Sequence, residues 1–164
     1  MGQIETQKKP TKIEGVFTQD LMVLSTEGGD VLHFLRKEYA LMPHFPGGFG
    51  EVYFSEVLPG KVKAWKRHAR QNQVFAVPYG RMKIVLYDDR EHSRTKGVLE
   101  EIILGRPENY ALLSIPAGIW YGFAALSREG ALLCNCADIP HEKEEGEKIA
   151  PDSKRIPYIW ETER

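Results

Sequence analysis

Five residues separate Gly60 from Lys66, one separates Lys66 from His68, four separate His68 from Gln73, and six separate Gln73 from Gly80. In a strand, Val62, Ala64, Lys66 and His68 point to one side, and in a small closed barrel that side is the interior. An amine and an imidazole are costly there unless a ligand, a water or a carboxylate meets them. At a barrel mouth, by contrast, both would simply be solvated. A desolvated lysine holds its proton less tightly, and its amine then takes a proton from carbon or condenses with a ketone as an imine. A divalent cation suits this set poorly. Only His68 binds such ions well, neutral Gln73 is a weak ligand, and the Lys66 ammonium repels them. The expectation is a site with no metal and no other cofactor.

Positioning such side chains requires strands. From Gly50 onward, short runs rich in Val, Ile, Phe and Tyr recur between turn residues: Glu51–Leu58, Lys61–His68, Val74–Val77, Met82–Tyr87, Leu99–Leu104, Tyr110–Ile115, Gly122–Leu126 and Ala131–Cys136. Within Met82–Tyr87, Met82, Ile84 and Leu86 share one face while Lys83 and Tyr87 share the other. Upstream, Met22–Leu24 and Val31–Leu35 read as strands about the turn Glu27-Gly28-Gly29-Asp30. Many short strands with almost no helical period predict an all-β sandwich or jelly-roll barrel. The 164 residues suit one domain with a genuine core. Residues 1–12, polar and carrying Lys8-Lys9-Pro10, read as a flexible N-terminal arm, and 13–164 as the single domain. The charged run Glu142–Glu147 reads as a solvated helical turn, and Ile156–Trp160 as an apolar segment suited to docking.

A formal net charge of −1 gives no basic field for nucleic acid or an anionic membrane. No apolar stretch reaches the roughly 20 residues that span a bilayer, and the start carries no signal-peptide pattern. Cys134 and Cys136, two apart in a strand, are too close in sequence for a relaxed disulfide. They read as buried free thiols of a reducing compartment, which makes the expected location the cytoplasm.

The intervals around Lys66 and His68 resemble the first motif of cupin barrels: Gly, five residues, His, one residue, a second His, then Glu and Gly. Pro116-Ala117-Gly118-Ile119-Trp120-Tyr121 resembles the second, Pro-x-Gly-x-x-His, with Tyr121 in place of the closing His. From Gly60 to Trp160 the chain is similar to the dTDP-4-dehydrorhamnose 3,5-epimerase family, a metal-free branch of the cupins. Val62-Lys63-Ala64-Trp65-Lys66 looks like that family's Arg-Gly-Leu-His segment. Asp88 to Gly97 resembles its Asp-x-Arg-x-x-Ser-Pro-Thr-x-Gly signature, with Arg94 for the Pro. Ile115 to Phe123 resembles Ile-Pro-Pro-Gly-Phe-Ala-His-Gly-Phe, and Pro151-Asp152 with Ile156–Trp160 echoes the closing Asp…Trp segment.

The resemblance implies a cupin-type jelly roll (a double-stranded β-helix) and a homodimer whose N-terminal strands exchange between subunits. It also implies a nucleotide-activated 4-keto-6-deoxysugar, dTDP-linked in the family, as substrate. Members remove protons alpha to the sugar ketone with a His held by an Asp, and return them from the other face with a Tyr. Such chemistry needs a base, an acid and a cation near the enolate oxygen. Carried over by position, Lys66 takes the base's place, Asp152 its orienting partner's, Gln73 the cationic lysine's and Tyr121 the pocket histidine's, while the acidic Tyr falls near Cys134. Three readings stay open. Chemistry persists with Lys66 or His68 as base, Tyr121 as acid and Asp152 tuning the base. Or a catalytically inactive pocket binds the sugar nucleotide, with Lys63, Arg67, Arg70 or Arg90 on the diphosphate. Or the barrel is an assembly partner whose inward polar groups are relics.

Overall fold

The computed structural model describes residues 7–36, 45 and 47–161, and among them there is no helix. Two antiparallel sheets carry the architecture. The first runs in the order β1 (Lys8–Pro10), β2 (Phe17–Asp20), β10 (Ala111–Ile115), β7 (Gln73–Tyr79), β12 (Ala131–Ala137) and β5 (Glu51–Val57). The second runs β13 (Gly146–Lys148), β6 (Val62–His68), β11 (Ile119–Ala125), β8 (Arg81–Asp88) and β9 (Leu99–Gly105). β3 (Val23–Thr26) and β4 (Gly29–Leu32) form a separate hairpin. The all-β jelly-roll expectation is met. Within the expected arm, residues 1–6 lie outside the described residues, and Lys8–Pro10 pairs with Phe17–Gln19 of β2.

The core lies between the sheets, where alternate residues of each strand interdigitate. Met82, Ile84 and Leu86 of β8 meet Phe75 and Val77 of β7 and Leu113 and Ile115 of β10. Val85, on the other face of β8, joins Trp65, Trp120 and Ile156 in a second cluster on the outside of the five-stranded sheet. That outer face is covered by the C-terminal segment: Trp160 packs on Trp65 with ring centroids 5.1 Å apart, and Tyr158 meets both edge-on. Gly122 permits the approach. A Cβ there would lie 2.5 Å from the Ala64 Cβ and 2.8 Å from Trp160 Cζ2. Because both faces of this sheet are buried, β11 reads as an almost continuous apolar run rather than an alternation.

The segment after β8 is a closed polar knot. Asp88, fully buried, accepts from Arg90 Nε at 2.9 Å, Arg90 Nη2 at 2.9 Å, Ser93 Oγ at 2.6 Å and Thr95 Oγ1 at 2.7 Å. Burial works to raise the Asp88 pKa, but these donors more than reverse it and hold the carboxyl well below the usual range. Arg90 Nη2 also donates to the Glu14 carbonyl at 2.7 Å, and Glu14 N donates to Thr95 Oγ1 at 2.9 Å. The residues of the Asp-x-Arg-x-x-Ser-x-Thr-x-Gly signature thus tie the link between β1 and β2 to the body of the sandwich.

Candidate functional site

A cavity of about 350 Å³ lies between the two sheets. The five-stranded sheet supplies Lys63, Lys66, Tyr121, Phe123 and Lys148 to its lining. The opposite wall carries Tyr53, Ser55, Phe75, Leu133 and Asn135. The register of β6 decides which lysines enter. Tyr121 pairs with Lys66, Phe123 with Lys63 and Ala124 with Val62, so that a bulge at Ala64 and Trp65 faces the lone Gly122. Strict alternation therefore breaks. Lys63 rather than Val62 lies opposite inward-facing Phe123, and Trp65 turns out to the covering segment.

Behind Tyr121 runs a three-residue relay. The imidazole of His68 contacts the Tyr121 hydroxyl through Nε2 at 3.1 Å and a Glu145 carboxylate oxygen through Nδ1 at 2.5 Å. All three are buried. Glu145 also accepts from the backbone N–H groups of Arg70 at 2.6 Å and Gln71 at 2.7 Å. Burial opposes its charge, yet these donors with His68 leave its pKa below the ordinary carboxylate value. Burial lowers the His68 pKa against the pull of Glu145, and burial raises that of Tyr121 well above an ordinary phenol's. The favoured arrangement is a neutral imidazole donating from Nδ1 to Glu145 and accepting the Tyr121 proton at Nε2. Both ring nitrogens of His68 are thus engaged by side chains of the protein itself. Among the described residues, no group of three or more His, Cys, Asp or Glu is arranged to hold one.

Lys66 and His68 run past the same point on β13: a Cβ on Gly146 would lie 3.5 Å from Lys66 Cε and 3.7 Å from His68 Nδ1. Burial and the neighbouring Lys148 lower the Lys66 pKa, with Glu145 and Glu51 pulling the other way. Lys63 Nζ donates to Ser55 Oγ at 2.9 Å. On the far wall, the Tyr53 hydroxyl accepts from Asn135 Nδ2 at 2.8 Å, and burial raises its pKa. Among the described residues, the buried Asn135 Oδ1 has no hydrogen-bond partner.

Lys66, His68, Tyr121 and Lys63 are thus brought together, while the other expected positions lie elsewhere. Asp152 sits in an exposed turn outside the cavity lining; the carboxylate that holds His68 is Glu145. Gln73 is buried in an amide chain, accepting from Asn135 and donating to Gln71, which in turn donates to the Ile139 carbonyl at 2.6 Å. Cys134 is also outside the lining, since its neighbours Leu133 and Asn135 take the inward positions of β12. Arg67 lies over the Trp120 ring and pairs with Asp89 and Glu147, Arg90 is bound to Asp88, and Arg70 pairs with Glu142.

Sequence reasoning missed Tyr53, Asn135, Glu145 and Lys148. The inward alternation of Glu51, Tyr53 and Ser55 along β5 was an available signal. Glu145 fell inside a run read as a solvated helical turn; instead the run ends in β13, and Glu145 is 7% exposed.

A sequence model of the dTDP-4-dehydrorhamnose 3,5-epimerase family matches residues 10–164. A probable low-salt glycan biosynthesis epimerase from Haloferax volcanii is 35% identical over 150 residues, covering 89% of this chain and 88% of its own. The spore coat polysaccharide biosynthesis protein SpsL from Bacillus subtilis is 32% identical over 150 residues, covering 92% and 93%. The crystal structure of a dTDP sugar isomerase from Desulfovibrio desulfuricans is 50% identical, with a TM-score of 0.86 over 91% of this chain and 92% of that one. A dTDP-4-dehydrorhamnose 3,5-epimerase from Elizabethkingia anophelis, 21% identical with a TM-score of 0.78 over 94% and 86% of the two chains, has the same cupin-type jelly-roll fold.

Proposed function

We propose that this chain, which belongs to the dTDP-4-dehydrorhamnose 3,5-epimerase family, is a metal-independent epimerase or isomerase of a nucleotide-activated 4-keto-6-deoxysugar. It moves protons alpha to the ketone with a changed set of residues. The observation that carries this reading is a cavity with proton-transfer groups on facing walls: Tyr121 on one, backed by His68 and Glu145, and Tyr53 on the other. In this reading Tyr121 Oη takes the alpha proton as its own passes to His68 Nε2, and Glu145 stabilises the imidazolium. Tyr53 returns a proton from the opposite side, as inversion at carbon demands, and fills the role that the family pattern put near Cys134. Lys66 stands at the carbonyl, where a developing enolate needs a cation. Asn135 Oδ1 receives a sugar hydroxyl, because a buried acceptor without a donor costs about 1–3 kcal/mol. Lys63 meets the diphosphate. That the Desulfovibrio relative is a dTDP sugar isomerase supports this ligand class.

The proposal extends to a single domain over 13–164, a cytoplasmic location suited to the buried free thiols, and a homodimer. Among the described residues β5 has a partner on one side only, Val52 and Phe54 on it are 49% and 64% exposed, and the β3–β4 hairpin lacks a third strand. Open strand edges beside apolar side chains favour pairing with a second copy.

The test is incubation with a dTDP-4-keto-6-deoxyhexose in heavy water. Deuterium should enter at the carbons alpha to the ketone. Tight binding by calorimetry with no exchange would favour the second reading, a catalytically inactive sugar-nucleotide-binding cupin, which draws support from the exposed position of Asp152. Absence of binding would sink both and leave the assembly role.

A further inference from the structure

We propose that Lys66 acts covalently, condensing with the ketone of the sugar to form an iminium ion; the proposal rests on the epimerase reading above. The geometry is that of an amine held between two kinds of neighbour. Lys148 on β13 is its Cα partner on one side, and Tyr121 on β11 is its Cα partner on the other. Lys66 therefore stands beside a second ammonium and next to the Tyr121–His68–Glu145 relay, on the wall of the cavity. Among the described residues it makes no salt bridge, whereas Arg67, next in the chain, makes two. The charged and titratable groups around it are Lys148 and Glu145 from β13 and its approach, Glu51 and Tyr53 from β5, Tyr121 from β11, and Lys63 and His68 from its own strand. Burial and Lys148 together lower its proton affinity. A desolvated lysine next to another cation is the arrangement that frees an amine for attack on a carbonyl near neutral pH.

The free amine adds to the carbonyl carbon, and with one proton taken from solvent the carbonyl oxygen leaves as water, giving a positively charged C=N bond to Lys66. That bond acidifies both neighbouring carbons. A C–H proton passes to Tyr121 Oη while the tyrosine's own proton passes to His68, and the C–H electron pair becomes the C=C bond of an enamine. A proton from Tyr53 then adds to that carbon from the opposite face and restores the iminium with the centre inverted. Water adds to the iminium carbon, and the ketone departs as Lys66 regains its neutral amine and one proton returns to solvent, matching the one taken up at the start. Solvent resets the protons of Tyr53 and His68.

Borohydride trapping tests the step. The full chain is mixed with a dTDP-4-keto-6-deoxyhexose, reduced, and weighed intact; a parallel sample in heavy water is scored for deuterium. The expected result is one reduced adduct per chain, mapped to Lys66, absent in Lys66→Arg and Lys66→Met, each checked for native fold by circular dichroism. Lys66→Arg keeps the positive charge yet should lose at least a hundredfold in exchange, since a guanidinium forms no imine. In Lys148→Met the alkaline shift of the pH profile for trapping should be evident, because removing that charge raises the Lys66 pKa. Deuterium exchange without an adduct, an adduct on Lys63 or Lys148 instead, or full exchange by Lys66→Arg would overturn the covalent step and leave the epimerase reading standing. Neither exchange nor adduct would remove both.

Discussion

The Asp88–Gly97 loop and the cavity between the sheets are both dense in charge, and they treat it in opposite ways. In the loop every lone pair of interest is met: two arginine nitrogens and two hydroxyls converge on Asp88, and the Glu14 backbone closes the knot from outside. In the cavity, Lys66 makes no salt bridge among the described residues and Asn135 Oδ1 accepts from nothing. Desolvation weighs on both regions; at Asp88 it is offset by partners already in the chain, whereas at Lys66 and Asn135 Oδ1 the described residues supply no such partner. The loop's residues resemble the family signature because they build the barrel. The cavity's unmet groups mark where something else must supply the hydrogen bonds. A signature and a site are thus different things here, and the polar groups left open are the better guide to function.

The contrast is breakable by substitution. Tyr121→Phe removes only a hydroxyl and should cut deuterium exchange by about a thousandfold, in the usual range for losing a positioned acid–base group, with about 1 kcal/mol of stability lost because the buried His68 Nε2 is left without its donor. Next in size, Tyr53→Phe should reduce epimer formation by about a hundredfold while deuterium still enters from the Tyr121 side; an equal loss of both would show that the facing walls do not divide the work. Asp88→Ala should do the reverse, costing about 2 kcal/mol in chemical denaturation, or roughly 30-fold in the folding equilibrium. Its exchange rate per folded molecule should match wild type. Acid sharpens the point. The folded Asp88 pKa lies below its unfolded value, so this group's stabilisation is present above the usual carboxylate range and is lost as pH falls through and beneath it. Asp88→Asn should flatten that part of the stability profile. Smallest of all, Lys63→Met should raise KM about threefold with less effect on kcat, as befits the proposed phosphate contact of an exposed lysine.

Much of this could be read from the chain alone. The strand expected over Met82–Tyr87 is β8 with its inward Met82, Ile84 and Leu86, and Ile156–Trp160 docks as its composition implied. The limit was register. Pattern counting along Val62–His68 assumes unbroken alternation, and the bulge opposite Gly122 exchanges Val62 for Lys63 on the inner face. Partners supplied from far along the chain were equally out of reach. Nothing near His68 announces a carboxylate 77 residues away, and Glu145 is camouflaged by the acidic residues around it. Tyr53 shows the same difficulty in another form: it neighbours Asn135 only because β5 ladders onto β12.

That last placement has a consequence for how the molecule would be governed. Among the described residues β5 is latched along one flank alone, and Tyr53 rides on it. A marginal strand of this sort fluctuates more than one stitched in on both flanks. Whatever lies alongside β5 therefore sets how steadily the Tyr53 hydroxyl is aimed across the gap. If a second copy pairs there, as proposed, dilution would act as a throttle on the proposed turnover without touching a single residue of the cavity.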